Sequence, residues 1–189
     1  MRTFIAIEIP ENIQYIVGEY IESVRGLIPQ VKWVKPENLH LTIKFLGEIT
    51  ESDLKRVNEC IARTSAEYEP FVMGLSDIGF FPRREKPKVL WLGADGGEDI
   101  LLDLFHDMEH CLEEIGFDRE TRTFSPHLTI GRIRRYVETN VPERLPEFKT
   151  TNFEVKSIAV IKSTLTPSGP IYEKIFESNL NSQSVSNLY

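Results

Sequence analysis

One tetrapeptide occurs twice in this chain, as His40-Leu41-Thr42-Ile43 and as His127-Leu128-Thr129-Ile130. Two copies, each set in its own apolar run, restrict the fold to one with two related halves that share a site. Each copy lies among apolar and β-branched residues (Leu39 to Leu46, Phe124 to Ile133) and reads as a strand, along which side chains two apart share a face. His40 therefore sits beside Thr42, and His127 beside Thr129. Strict alternation turns Leu41, Ile43 and Phe45 toward the core in the first copy, and Leu128 and Ile130 in the second. Each His/Thr pair is left on the opposite face, where chemistry could happen.

The residues around the two copies describe an α+β chain. Thr3 to Ile9 alternates as a first strand that Pro10 ends. Ile13, Ile16, Val17, Tyr20, Ile21, Val24 and Leu27 then recur at spacings of three and four, the apolar stripe of a helix stopped by Gly26 and Pro29. Val31 to Val34 is a short strand. Thr50 is the expected N-cap of a second helix, with Glu51 and Asp53 in its first turn and Leu54, Val57 and Ile61 inward. Phe71 to Ile78 is a strand, Gly79 to Pro87 a loop by its Gly, Pro and charge content, and Lys88 to Gly93 a strand again. A third helix, from about Asp99 to Ile115, carries Leu101, Leu104, Phe105, Met108 and Leu112 on one face and stops at Gly116. After the second signature comes a stretch punctuated by Pro142 and Pro146. Phe153 to Ser163 and Ile171 to Glu177 then form a closing hairpin around Thr166-Pro167-Ser168-Gly169-Pro170. Connections this short favour antiparallel neighbours. One domain of two intimate lobes over residues 1–178 is expected, with 179–189 a polar, frayed tail.

Composition narrows the function classes. With 29 acidic and 22 basic residues the net charge is −7, which disfavours tight non-specific binding to a polyanion, whose affinity rests on many cation–phosphate contacts. A small or terminal phosphate remains compatible. The locally basic stretches, Arg83 to Lys88 and Arg132 with Arg134 and Arg135, read singly as solvated loops. No apolar run approaches the ~20 residues that span a bilayer, and the opening segment is too short and alternating for a signal peptide, so a cytoplasmic protein without membrane contact is expected. Cys60 and Cys111 lie far apart within helical patterns, without Cys-x-x-Cys spacing, and read as reduced, buried thiols. No Gly-rich phosphate loop stands at a strand-to-helix junction.

Of the four histidines, His106 and His110 share a helical spacing of four that could present two metal ligands. Both project away from the Leu101/Leu104/Phe105/Met108 stripe, however, and read as surface residues with no metal site. A lone strand histidine is more often a hydrogen-bonded structural residue. Here two must be explained together, each with the same Thr two positions on. Two imidazoles, one neutral and one cationic near pH 7, suit in-line phosphodiester cleavage: one deprotonates the attacking water and the other protonates the leaving alkoxide. Two threonine hydroxyls in the same space can hydrogen-bond the non-bridging oxygens as charge shifts. No metal or other cofactor is required.

The pair of His-x-Thr-x tetrapeptides resembles the two-histidine (2H) phosphoesterase superfamily. The wider frame is similar to its RNA 2′,3′-cyclic phosphodiesterases, also called 2′-5′ RNA ligases. The matching stretches are Arg2 to Ile7, Trp33 to Gly47, Val89-Leu90-Trp91, Phe124 to Ile130 and Leu165 to Tyr172. The resemblance implies a bilobal α+β fold of two antiparallel sheets related by a pseudo-twofold axis around a central cleft, with helices outside. It also implies an enzyme that acts on RNA ending in a 2′,3′-cyclic phosphate and opens it to a 2′-phosphate; a monomer is expected. His40 would protonate the 3′ oxygen, His127 would activate water, and Thr42 and Thr129 would bind the phosphate. The resemblance further implies an arginine five positions after the second histidine, which is Arg132. Strict alternation puts Arg132 on the wrong face, and a bulge at Gly131 would re-aim it. Lys44 shares the His40 face and is a candidate for contacting the phosphate or RNA backbone. Phe4, Trp33 and the loop from Phe80 to Lys88 are candidates for base stacking, with core packing the alternative for each aromatic.

Three readings follow. The first is metal-independent hydrolysis of RNA cyclic ends, reversible as ATP-independent 2′-5′ ligation when a 5′-hydroxyl replaces water. The second keeps the site but acts on a small cyclic nucleotide or a 2′,5′-oligonucleotide. The third is a non-catalytic RNA-end binding module, which would not need a matched acid and base.

Overall fold

A computed structural model describes residues 1–133, 140–167 and 169–181. Its strands are β1 (Arg2–Glu8), β2 (Val31–Trp33), β3 (His40–Glu48), β4 (Phe71–Phe81), β5 (Val89–Asp95), β6 (His127–Ile133), β7 (Thr151–Val155), β8 (Ser157–Thr166) and β9 (Gly169–Asn179), and its helices are α1 (Glu11–Arg25), α2 (Glu51–Ser65) and α3 (Glu98–Glu114). The sheet order is β7-β4-β5-β6-β3-β1-β8-β9, with β2 added on β6. Every pairing is antiparallel. Reading outward from the β6–β3 seam, β6-β5-β4-β7 mirrors β3-β1-β8-β9. The two halves are the α+β lobes expected, and their sheets meet through one residue pair, Leu41 with Leu128.

The helices cover one face of this sheet with the stripes their periodicity dictates. Ile13, Val17, Tyr20, Ile21 and Val24 of α1 are buried, as are Val57 and Ile61 of α2 and all five expected residues of α3. Ile16 and Leu27, at the edge of the α1 stripe, lie exposed instead. Thr50 and Asp53 close a reciprocal capping box at the start of α2. Central strand β1 is buried on both faces. Ile5 and Ile7 join the main core under the helices, whereas Phe4 and Ala6 form a separate cluster with Ala159 and Ile161, against which Tyr172 packs. That second cluster floors the open face.

Several boundaries differ from expectation for reasons that lie outside local sequence. Gly79-Phe80-Phe81 is the end of β4, paired with Val89 to Trp91, because a long partner strand supplies ladder bonds its own composition does not announce. The single strand expected from Phe153 to Ser163 is two. β7 pairs with β4 at one edge of the sheet, and the chain turns at exposed Lys156 to place β8 beside β1 on the other half. Leu180, expected in the frayed tail, is buried, and Leu180 and Asn181 donate their amides to the carbonyls of Lys156 and Tyr68. Residues 182–189 of that tail, and Arg134, Arg135 and Ser168, lie outside the described residues. In the basic loop, Arg84 lies 5.2 Å over the Phe80 ring and donates to the Pro142 and Glu143 carbonyls, so its charge fastens the loop to the chain.

The reading of Cys60 and Cys111 as free thiols is corrected. α2 and α3 pack side by side and bring their Cα atoms to 5.9 Å, where the two cysteines form a disulfide. A sequence separation of 51 residues hides the pairing, because only the helix–helix contact creates it. No helix among the described residues is long and apolar enough to cross a membrane.

Candidate active site

The two signature strands carry the same irregularity at the same place. Against β1, pairing passes from Ala6–Thr42 to Ile5–Lys44 and skips Ile43. Against β5, it passes from Trp91–Thr129 to Leu90–Gly131 and skips Ile130. A bulge of one residue reverses the inside–outside phase of everything beyond it. Ile43 and Lys44 are accordingly buried in succession, as are Ile130 and Gly131. Phe45 and Arg132 emerge on the His/Thr face.

The re-aiming of Arg132 expected at Gly131 is therefore present, and glycine is needed there. A Cβ on Gly131 would lie 2.5 Å from Val31 Cγ1 and 3.2 Å from Trp33 Cε3 of the added strand β2. The same bulge overturns two other expectations. Phe45 does not face the core; it is 62% exposed and lines the open cleft. Lys44 does not share the His40 face. Its ammonium is buried in an ion pair with Glu109 of α3 at 2.5 Å and donates to the Asp118 carbonyl, while the other Glu109 oxygen accepts from the Glu120 amide. Lys44 thus ties its strand to α3 and the loop beyond it. Trp33 packs against the core, with Arg25 at 6.0 Å from its ring, and is absent from the cleft wall.

A cleft of about 620 Å³ opens on the exposed face of the seam, lined from one half by Phe4, His40, Thr42 and Phe45, from the other by Thr129 and Arg132, and at its rim by Leu165 and Tyr172. His127 stands on the same face of β6 as Thr129, two residues away. Each imidazole is held in the same manner. His40 Nδ1 lies 2.8 Å from the Asn38 carbonyl and His127 Nδ1 lies 2.7 Å from the Ser125 carbonyl, in both cases the residue two positions earlier. A carbonyl can only accept, so each Nδ1 carries a proton and each Nε2 is the nitrogen left for exchange.

Aromatic walls fix the rings further. His40 lies 4.7 Å from the Phe4 ring and meets Tyr172 edge-on at 5.0 Å. His127 meets Phe81 edge-on at 5.1 Å and Trp91 at 6.1 Å, and Phe81 stacks on Trp91. Of these four rings only Phe4 and Phe81 fall among the expected stacking candidates, and both serve here as supports for a histidine. Tyr172 and Trp91 lie far in sequence from either signature, and no local pattern marks them as neighbours of a histidine. Burial against Phe4 and Tyr172 is the main force pushing His40 below the ordinary imidazole range. The hydrogen bond to Asn38 opposes it, and the Arg132 charge lowers it further. His106 and His110 lie exposed on α3, His110 within 3.7 Å of Glu114, away from the cleft.

This geometry has two imidazoles, two hydroxyls and a guanidinium arranged about the seam of a duplicated sheet. The chain matches the family model of LigT-like phosphoesterases twice, over residues 7–91 and 92–172. The chain belongs to the LigT-like phosphoesterases. Each matched segment carries one of the two signature strands, β3 in the first and β6 in the second. Among curated relatives, the RNA 2′,3′-cyclic phosphodiesterase of Methanocaldococcus jannaschii is 38% identical over 94% of this chain and 99% of its own. That of Thermotoga maritima is 36% identical over 94% of each chain. Among solved structures, a Thermus thermophilus protein superposes with a TM-score of 0.84 at 28% identity, covering 97% of this chain and all of its own.

Proposed function

We propose that this member of the LigT-like phosphoesterases is an RNA 2′,3′-cyclic phosphodiesterase that opens a terminal cyclic phosphate to a 2′-phosphate by two-histidine acid–base catalysis. The observation that supports it most is the seam itself. It sets two His/Thr strands side by side, presents an unencumbered Nε2 from each imidazole, and lines one cleft with Thr42, Thr129 and Arg132. The full-length relatives bearing that activity in their names agree with it.

In this mechanism His127 Nε2 takes a proton from water as the water oxygen bonds to phosphorus. His40 Nε2 gives its proton to the 3′ oxygen as the P–O3′ bond breaks in line. The neutral and cationic imidazoles have then exchanged states, and proton exchange with solvent resets them. The threonine hydroxyls and the Arg132 guanidinium hold the non-bridging oxygens as negative charge redistributes. The lowered pKa of His40 fits the acid's role, since a protonated imidazole of low pKa is a strong donor. An arriving phosphate neutralises the Arg132 charge that lowers it, so His40 gains proton affinity as substrate binds. Replacing water by an RNA 5′-hydroxyl takes the same forward steps to a 2′-5′ phosphodiester, which is ligation. The chain acts as a cytoplasmic monomer and needs no metal for any of these steps.

The test is incubation of the purified protein, in EDTA, with a short RNA ending in a 2′,3′-cyclic phosphate, the product being matched to 2′- and 3′-phosphate standards. A 2′-phosphate product is expected. A 3′-phosphate would reverse the assignment of the leaving oxygen, and activity lost in EDTA and restored by a divalent cation would overturn metal independence. Intact RNA that remains bound would favour a binding module.

A further inference from the structure

The two imidazoles are held alike, but the carbonyls that hold them are not. Asn38 ends a single 3-10 turn, Pro36–Asn38, closed by its own backbone, with the Asn38 and Leu39 amides donating to the Lys35 and Pro36 carbonyls. Ser125 belongs to residues 117–126, a mostly exposed segment between α3 and β6 that is neither helix nor strand, so no ladder fixes where its carbonyl stands. A buried ion pair that the proposed chemistry leaves unused attaches this segment instead. Lys44 is 8% and Glu109 2% exposed, and the Lys44 ammonium lies 2.5 Å from one Glu109 oxygen. Each partner then takes one backbone group of the segment. Lys44 Nζ donates to the Asp118 carbonyl at 2.8 Å, and the Glu120 amide donates to the second Glu109 oxygen at 2.8 Å. The Glu120 side chain turns instead onto Arg122. Further along, Phe124, next to Ser125, stacks on Phe105 of α3 at 4.2 Å.

We propose that Lys44 and Glu109 are positioning residues for His127, setting through the segment they anchor the Ser125 carbonyl that keeps the His127 proton on Nδ1. This deepens the cyclic phosphodiesterase reading and rests on it. A buried ion pair gives little net stability over an apolar pair of the same volume, but its bonds are directional, and apolar side chains would fix neither the Asp118 carbonyl nor the Glu120 amide. Lys44 stands two residues beyond Thr42, so the pair ties the holder of the base in one half to the strand that carries the acid in the other. The two sheets themselves meet there through Leu41 and Leu128. With the Ser125 carbonyl displaced, nothing keeps the proton on Nδ1, and the tautomer protonated on Nε2 has no lone pair there to offer the attacking water. His40, held by its own local turn, keeps its tautomer.

The experiment records imidazole nitrogen NMR spectra of wild type and of the double variant Lys44→Met with Glu109→Leu, which leaves no buried ion unpaired, in alkaline solution where the rings are neutral. Bare and protonated ring nitrogens resonate far apart, so each histidine reports its own tautomer. Wild type is expected to show a bare Nε2 on both His40 and His127, and the double variant to lose it on His127 alone. On a cyclic RNA end its kcat should fall by on the order of 10–10²-fold with KM little changed, the effect of a slightly misplaced catalytic group. A His127 tautomer unchanged in the variant, an equal loss at His40, or an unchanged kcat would overturn the positioning. In wild type alone, the Glu120 amide should exchange with solvent far more slowly than the Arg119 amide beside it. Equal rates would overturn the anchor even where the variant folds poorly. Failure of wild type to open a cyclic end would overturn the activity itself and leave the tautomer comparison to decide how His127 is held.

Discussion

The strands β3 and β6 have a common backbone and different outcomes. Both begin with a histidine whose Nδ1 is held by the carbonyl two residues earlier, both place a threonine beside it, and both bulge after the fourth residue. Beyond that point they part. Lys44 enters the core to meet Glu109 where Gly131 lies close beside β2, and Phe45 stands where Arg132 reaches into the cleft. The environment of the histidines differs too, with Phe4 and Tyr172 about one and Phe81 and Trp91 about the other. Symmetry is kept in what an acid–base pair requires, and it is abandoned where a substrate with unlike ends must be held in one orientation.

The largest effects test the symmetric part. His40→Ala and His127→Ala are each expected to lower turnover of a cyclic RNA end by on the order of 10²–10⁴-fold, with circular dichroism and melting little changed, since neither side chain is a core element. The double variant should be about as inactive as the worse single one, because the two imidazoles act as a unit. Near-normal turnover by either single variant would remove the two-histidine mechanism. The role of each histidine separates on an end whose bridging 3′ oxygen is replaced by sulfur. A thiolate leaves without a proton, so such an end should rescue the variant lacking the acid, His40→Ala, and not His127→Ala.

Next come the positions where the strands diverge. Lys44→Met strands the Glu109 carboxylate in the core, and breaking a buried pair from one side costs about 3–5 kcal/mol of folding stability. Chemical denaturation should show that loss, and Lys44→Met with Glu109→Leu should recover much of it. Gly131→Ala is expected to cost less, about 1–3 kcal/mol, by forcing a Cβ against Val31 and Trp33. Its activity should fall further than its stability, because the displaced bulge mis-aims Arg132. Val31→Ala in the same chain removes the atom it meets and should restore part of both. Simple additivity of Gly131→Ala and Val31→Ala would mean that the close contact does not matter.

The contrast between the strands also marks how far the sequence could be read. The repeated tetrapeptide disclosed the duplicated architecture and both histidines, because a period of two is a local property of the chain. Arg132 was legible through the glycine before it, since a glycine inside a strand signals a bulge. The identical bulge in β3 was not legible, because Lys44 replaces glycine there and gives no such signal. Alternation carried through it assigned Phe45 to the core and Lys44 to the cleft, the reverse of where they lie. The remaining differences arose from pairings distant in sequence. Cys60 meets Cys111 across two helices, Leu180 docks beside Lys156 and Tyr68, and Tyr172 reaches His40 from the far strand β9.

The smallest effect concerns His40 alone. Its pKa is lowered in the folded protein, chiefly by burial, relative to an unfolded chain where imidazole titrates near its ordinary value of about 6.5. Between that value and the lower folded one, the unfolded state binds more protons than the native state, so stability rises with pH across this window and falls on acidification through it. Above the window both states are neutral at this site and its contribution is complete. His40→Gln keeps a polar group of comparable size but cannot titrate, and should flatten the wild-type slope of unfolding free energy as pH falls below about 6.5. Phe4→Ala, which admits water beside the ring, should reduce the slope in part by letting His40 return toward its ordinary value. An unaltered slope in His40→Gln would mean that burial of this histidine does not govern its charge. The acid role would then lose the feature by which Arg132 and an arriving phosphate control when His40 becomes protonated.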